Sequence, residues 1–149
     1  MNLKFKNCNL VSVGNFLGDL KLKNMASLGR SKLIKLIVVK NEDYQNDLNE
    51  IRDQYFVKDP NGKFKTEKNS NKLVFKDKSL KDEADQQIRT ISDDVAVISI
   101  TEYLNKFKKL YEALQNYDEE FSDQGALLYE LVMDAFDECF QEQKEEEQR

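Results

Sequence analysis

The chain has no histidine and no tryptophan, one proline, two cysteines and five glycines in 149 residues. Without histidine it lacks the commonest general base, the partner in Ser-His and Cys-His nucleophile pairs, and the commonest metal ligand. Cys8 and Cys139 stand near opposite ends and form no C-x-x-C pattern, so no zinc site is expected. No apolar signal segment precedes Cys8, which points to a reducing cytoplasm and two free thiols. A single long-range disulfide stays open should the chain ends meet. Cys139 falls on an apolar helix stripe and reads as a small core residue. No apolar run approaches the roughly 18–20 residues that cross a bilayer, so no membrane role is expected. The glycines (Gly14, Gly18, Gly29, Gly62 and Gly125) assemble no phosphate loop.

What is present is an ordinary apolar fraction and a dense, unevenly placed set of charges. The chain suits one domain large enough to bury a core. The formal net charge of -5 argues against a general nucleic-acid binder. Residues 1–40 carry eight Lys or Arg against one Asp, whereas residues 112–149 carry thirteen carboxylates against two cations. These segments either attract each other within the fold or face separate partners.

Periodicity places the elements. LKFK (3–6) fits a short strand or an extended entry. Leu10, Val13, Phe16, Leu17 and Leu20 recur at helical spacing, and Ser27 is a candidate cap for a long second helix. Leu33, Ile34, Ile37, Val38, Tyr44, Leu48, Ile51 and Tyr55 form its stripe. Asn41 interrupts that stripe, as a break, a register-setting contact or an exposed position. KDPNGK (58–63) ends the helix, because Pro60 disfavours helical backbone at Asp59 and Asn61-Gly62 favours a turn. The lysine-rich stretch Lys63 to Lys78 predicts a small exposed β-hairpin. Ala84, Ile88 and Ile91 fit a short third helix from Ser79 or Leu80. DVAVISI (94–100) either pairs with the hairpin or leads into a helix. Thr101 is the expected cap of a fourth helix carrying Leu104, Phe107, Leu110, Tyr111 and Leu114. Ser122 or Asp123 caps a fifth, whose apolar pairs Leu127-Leu128, Leu131-Val132, Ala135-Phe136 and Cys139-Phe140 recur every four residues. The expected organisation is one domain over residues 1–141 and a charged, disordered tail over 142–149.

Candidate sites fail on their details. DEEFSD (118–123) and DPNGKFKTE (59–67) both miss the calcium-loop pattern, in the second case because Lys63 and Phe64 occupy ligand and glycine positions. The six tyrosines lie on or near apolar stripes and read as packing anchors. GRSK (29–32) opens a helix as a DNA-reading helix does, but LIKLIV follows at once and must be buried. No catalytic residue, cofactor or metal ligand is picked out, and direct nucleic-acid binding is not expected. The second-helix stripe packs internally or forms a homodimer seam, and periodicity does not distinguish these.

The runs NFLGDLKLKNMASLGRSKLIKLI (15–37), DLNEIRDQYFVKDPNGK (47–63) and LQNYDEEFSDQGALLYELVMDAF (114–136) together resemble a family of small uncharacterised proteins from tailed phages and prophages of Gram-positive bacteria. The likeness covers nearly the whole chain. The opening segment is less basic here, with Met25, Leu28 and Leu33 among the cations. The resemblance implies a phage gene product acting in the bacterial host cytoplasm, and it transfers no catalytic residues. The expectation is therefore an α+β, mainly helical fold. It has an N-terminal helical hairpin with a long second helix, a small β-hairpin and two C-terminal amphipathic helices. The expected function is a non-enzymatic protein-binding protein, an inhibitor of a bacterial defence or host protein, with a virion-morphogenesis or tail-associated accessory protein as the alternative. Glu130, Asp134, Asp137 and Glu138, with Arg30, Lys32 and Lys35, are the candidate partner-binding residues.

Overall fold

A computed structural model describes residues 1–149. The chain is α+β and mainly helical, with a strand β1 (Asn2–Lys6) and helices α1 (Leu10–Asp19), α2 (Asn24–Tyr55) and α3 (Lys81–Asp93). A second strand β2 (Val95–Ser99) and helices α4 (Leu104–Gln115) and α5 (Asp123–Glu147) complete it. It forms two compact units, Met1–Asn41 with Val95–Arg149, and Glu42–Asp94, where the sequence suggests one domain. The chain passes from the first to the second inside α2.

In the first unit β1 and β2 form an antiparallel two-stranded sheet in the register Leu3↔Ile98 and Phe5↔Ala96. DVAVISI therefore pairs with LKFK, a partner far off in sequence, and not with a neighbouring hairpin. Alternation puts Leu3, Phe5, Ala96 and Ile98 inside and Lys4, Lys6, Val95 and Val97 outside. A two-stranded sheet is marginal by itself, so it depends on helices packed on its apolar face. Leu10, Val13 and Leu17 of α1, Leu33 and Ile37 of α2, Phe107, Leu110 and Leu114 of α4, and Val132 and Phe136 of α5 complete that core.

One backbone approach sets how the helices meet. A Cβ added at Gly29 of α2 would lie 2.3 Å from the Lys106 carbonyl oxygen and 3.1 Å from Leu110 Cβ, both on α4. Gly29 is thus required by packing, beyond the small helix-propensity cost visible in the sequence.

In the second unit Tyr55, Phe56 and Ala84 are buried, with Ile51, Phe64, Leu73, Phe75 and Ile88 packed against them. The Tyr44 hydroxyl and Ser92 Oγ lie 2.8 Å apart. Within Lys63–Lys78 the small hairpin is short: the antiparallel bridge Thr66↔Leu73 is flanked by Glu67 N donating to Lys72 O and Val74 N donating to Lys65 O, while Phe56↔Phe75 and Lys58↔Phe64 join it to the chain after α2. Val57 donates to Val74 O and accepts from Lys65 N, so the segment after α2 pairs with both arms. Turn geometry explains this. Asp59 accepts from the Asn61 and Lys63 amides at 2.9 and 3.0 Å, and Gly62 and Asn69 both have positive φ.

Helix ends differ from expectation by a few residues. α2 begins at Asn24, before Ser27, and α4 at Leu104, with Tyr103 and not Thr101 in the cap position. A turn over Lys78–Leu80, capped by Asp77 through the Ser79 amide at 3.0 Å, leads into α3. α5 continues to Glu147, through most of the segment expected to be disordered, and Gln143 donates to Glu147 at 2.9 Å.

Two substitutions test these contacts by urea unfolding. Gly29→Ala is expected to lower stability by about 1–3 kcal/mol through overpacking, more than the roughly 1 kcal/mol that alanine gains in helix propensity. Asn41 has a buried Oδ1 with no hydrogen-bond partner. Asn41→Leu is accordingly expected to raise stability by about 1 kcal/mol.

Candidate interaction surface

The apolar pairs of α5 aim one side of the helix inward, burying Val132, Ala135, Phe136 and Cys139. Repetition every four residues leaves a slowly winding carboxylate stripe of Glu130, Asp134, Glu138 and Glu142 on the outside. All four are exposed. Leu127, one turn before Glu130, is 61% exposed, the highest value among the exposed large hydrophobic side chains. A shallow groove between β1 and α5 is lined by Lys4, Lys6, Leu131, Asp134 and Glu138.

Asp137 does not belong to this stripe. It is half-buried and accepts a hydrogen bond from the Tyr111 hydroxyl of α4. The Tyr111 ring lies 5.4 Å from Phe136 and 5.1 Å from Phe140. Burial, and then the Asp137 carboxylate, push the Tyr111 phenol up to about 12. This pair fastens α4 to α5.

The basic candidates also separate. Arg30 donates to the Leu20 carbonyl and to Ser27 Oγ, tying the end of α1 to the first turn of α2. The Lys32 ammonium sits 4.7 Å from the Tyr103 ring centre, and Lys106 sits 5.1 Å from the same ring. Lys35 is exposed. Of the seven residues expected from the sequence, Glu130, Asp134, Glu138 and Lys35 face solvent. Asp137, Arg30 and Lys32 hold the first unit together.

Leu127, from one of the apolar pairs expected on the buried side of α5, is exposed instead, and Glu142 is not among the residues expected from the sequence. Glu142 completes the four-residue spacing and pairs with Lys4 at 3.1 Å, holding the lysine above its ordinary value, first by hydrogen bonding and then by charge. Lys21 pairs with Glu119 at 3.0 Å. The basic N-terminal and acidic C-terminal segments therefore meet at these two exposed points, and neither involves Glu130 or Asp134. Such exposed pairs contribute little to stability.

Both cysteines are free thiols, Cys8 exposed and Cys139 buried, and desolvation raises the Cys139 thiol. No three acidic, histidine or cysteine side chains converge into a group able to hold a metal ion. No helix is long and apolar enough to cross a membrane.

The profile of a family described as protein of unknown function (DUF1617) matches residues 1–146, and the chain belongs to that family. No curated protein and no solved structure matches it.

The raised Tyr111 value has a defined consequence. The native state holds this proton more tightly than the unfolded chain, so the contribution is complete below about pH 10 and is lost as pH rises toward about 12. Tyr111→Phe removes this dependence. Its unfolding free energy, followed by circular dichroism, is expected to fall less steeply than that of the parent protein between those values.

Proposed function

We propose that this member of the family is a non-catalytic, phage-encoded protein-binding protein that acts in the bacterial cytoplasm on a host or defence protein. The observation that carries the reading is the exposed stripe of Glu130, Asp134 and Glu138, with Leu127 exposed beside it. A row of like charges on a rigid helix attracts a surface of opposite sign and orients it, raising association rate and selectivity. An exposed leucine at the end of such a row supplies apolar contact that charge alone does not. The phage setting rests on the likeness of the three sequence runs to phage proteins. Inhibition of the partner follows from occupying a basic surface that would otherwise hold nucleic acid or another acidic ligand.

Affinity capture from lysates of candidate host strains, followed by calorimetry with the purified partner, tests this reading. A stoichiometric basic partner is expected, with binding that weakens as salt is raised. Reversing Glu130, Asp134 and Glu138 to lysine together is expected to weaken binding at least about a hundredfold, a loss of about 2.8 kcal/mol, while the helix content is kept. A salt-independent partner, or one indifferent to the reversals, would defeat the reading. Recovery of the chain as a fixed component of purified virions would instead place it in particle assembly.

A further inference from the structure

The chain carries a net charge of -5, yet one segment of its second unit is strongly basic. Residues 57–78 hold seven lysines, no arginine and three carboxylates. Two of those carboxylates are turned onto the backbone. Asp59 accepts from the Asn61 and Lys63 amides, and Asp77 accepts from the Ser79 amide at 3.0 Å and its hydroxyl at 2.7 Å. Two of the lysines are engaged as well: Lys58 pairs with Asp53, and Lys76 donates to the Asp53 carbonyl at 2.7 Å. The other five, Lys63, Lys65, Lys68, Lys72 and Lys78, are exposed and pair with no carboxylate.

The hairpin arranges these cations. Thr66 stands opposite Leu73 across the two arms, and Phe64, Leu73 and Phe75 pack on Tyr55, Phe56 and Ala84. Alternation along each arm then places Lys63, Lys65 and Lys72 on the side away from that cluster, with Lys68 in the connecting turn. Lys63 and Lys65 stand two strand residues apart, about 7 Å, close to the separation of neighbouring phosphates on a nucleic-acid strand.

Lysine in a strand commonly protects an open sheet edge, but that role does not account for Lys65. Lys65 N donates to Val57 O at 2.9 Å, and Lys65 O accepts from Val74 N at 3.1 Å. Val57 N donates in turn to Val74 O at 2.9 Å. Three extended pieces therefore close in a ring at Val57, Lys65 and Val74. The Lys65 ammonium has no edge to guard there.

Residue type narrows the occupant. The planar fork of arginine fixes the geometry of a single carboxylate or phosphate, whereas lysine is a point charge that imposes no such geometry. An all-lysine face suits a regular row of phosphates better than one placed carboxylate. Phe64 and Phe75 are packed inward, so no ring of the hairpin is offered for the base stacking that holds single strands. A two-stranded ribbon also fits the major groove of a duplex.

We propose that the outer face of this hairpin binds the phosphate backbone of duplex DNA, without regard to sequence, through Lys63, Lys65, Lys68 and Lys72. Whole-chain charge hides such a surface, because counterions are released only where cations meet phosphates. The inference is independent of the protein-binding reading above.

The probe is a short fluorescent duplex of mixed sequence, titrated with the full-length protein and followed by anisotropy and amide NMR. Four phosphate contacts give an expected slope of log K on log salt of about -3.6, a loss of roughly a hundredfold between 50 and 200 mM salt. Amide shifts are expected within residues 63–72. Lys65→Gln combined with Lys72→Gln is expected to make the slope shallower by about 2 and to weaken binding to every duplex sequence alike. Both side chains are exposed, so the fold is kept. Lys108→Gln combined with Lys144→Gln makes the same change of net charge elsewhere and should leave the slope as it was. Absence of binding at low salt would overturn the proposal, as would equal losses from the two double variants. So would a single strand, poly-glutamate or phosphatidylserine vesicles bound as tightly as the duplex. If the hairpin is silent while the α5 charge reversals still release a captured partner, this inference falls and the protein-binding reading stands.

Discussion

The arrangement of the first unit depends on one close approach, the backbone of α2 at Gly29 against the backbone of α4 at Lys106. No side chain, not even a methyl group, fits between Gly29 and the Lys106 carbonyl. Contact at this distance brings the α4 residues Phe107, Leu110 and Leu114 into a core shared with Leu33 and Ile37 of α2. It also draws the beginning of α4 toward α2, so that Lys32 and Lys106 share the Tyr103 ring. The α5 face is positioned in turn, because Tyr111 of α4 holds Asp137 of α5 and its ring packs against both Phe136 and Phe140.

Electrostatics in this chain serves placement more than stability. The uneven charge of the two ends is spent on two exposed ion pairs, Lys4–Glu142 and Lys21–Glu119, whose energies solvent and salt keep small. Lys4–Glu142 joins β1 to α5, and Lys21–Glu119 joins the loop after α1 to the loop before α5. The carboxylates that remain outward then form an ordered row on a helix whose opposite side is anchored in the core.

Much of this was legible in the sequence. Helical spacing located five helices, because a buried stripe must repeat with the helix turn whatever the stripe packs against. Alternation in LKFK and the β-branched residues of DVAVISI suggested strands. The apolar pairs of α5 gave its buried side, and therefore also the outward side on which Glu130, Asp134 and Glu138 stand. The pairing of DVAVISI and the contacts made by Arg30, Lys32 and Asp137 depend on which distant residue arrives, and a local pattern carries no record of that. Asp137 is typical: its spacing makes it look solvated, and only the arrival of Tyr111 makes it half-buried and bonded.

The sequence by itself determined the mainly helical class, most of the inward face of each helix and the absence of histidine. These follow from composition and local periodicity, which act through nearest neighbours along the chain. Tertiary structure alone decided that β1 and β2 are partners, that Gly29 is a point of backbone contact, and that Tyr111 holds Asp137. Each of these is a meeting of segments remote in sequence, fixed by the packing of the whole core and by nothing within either segment.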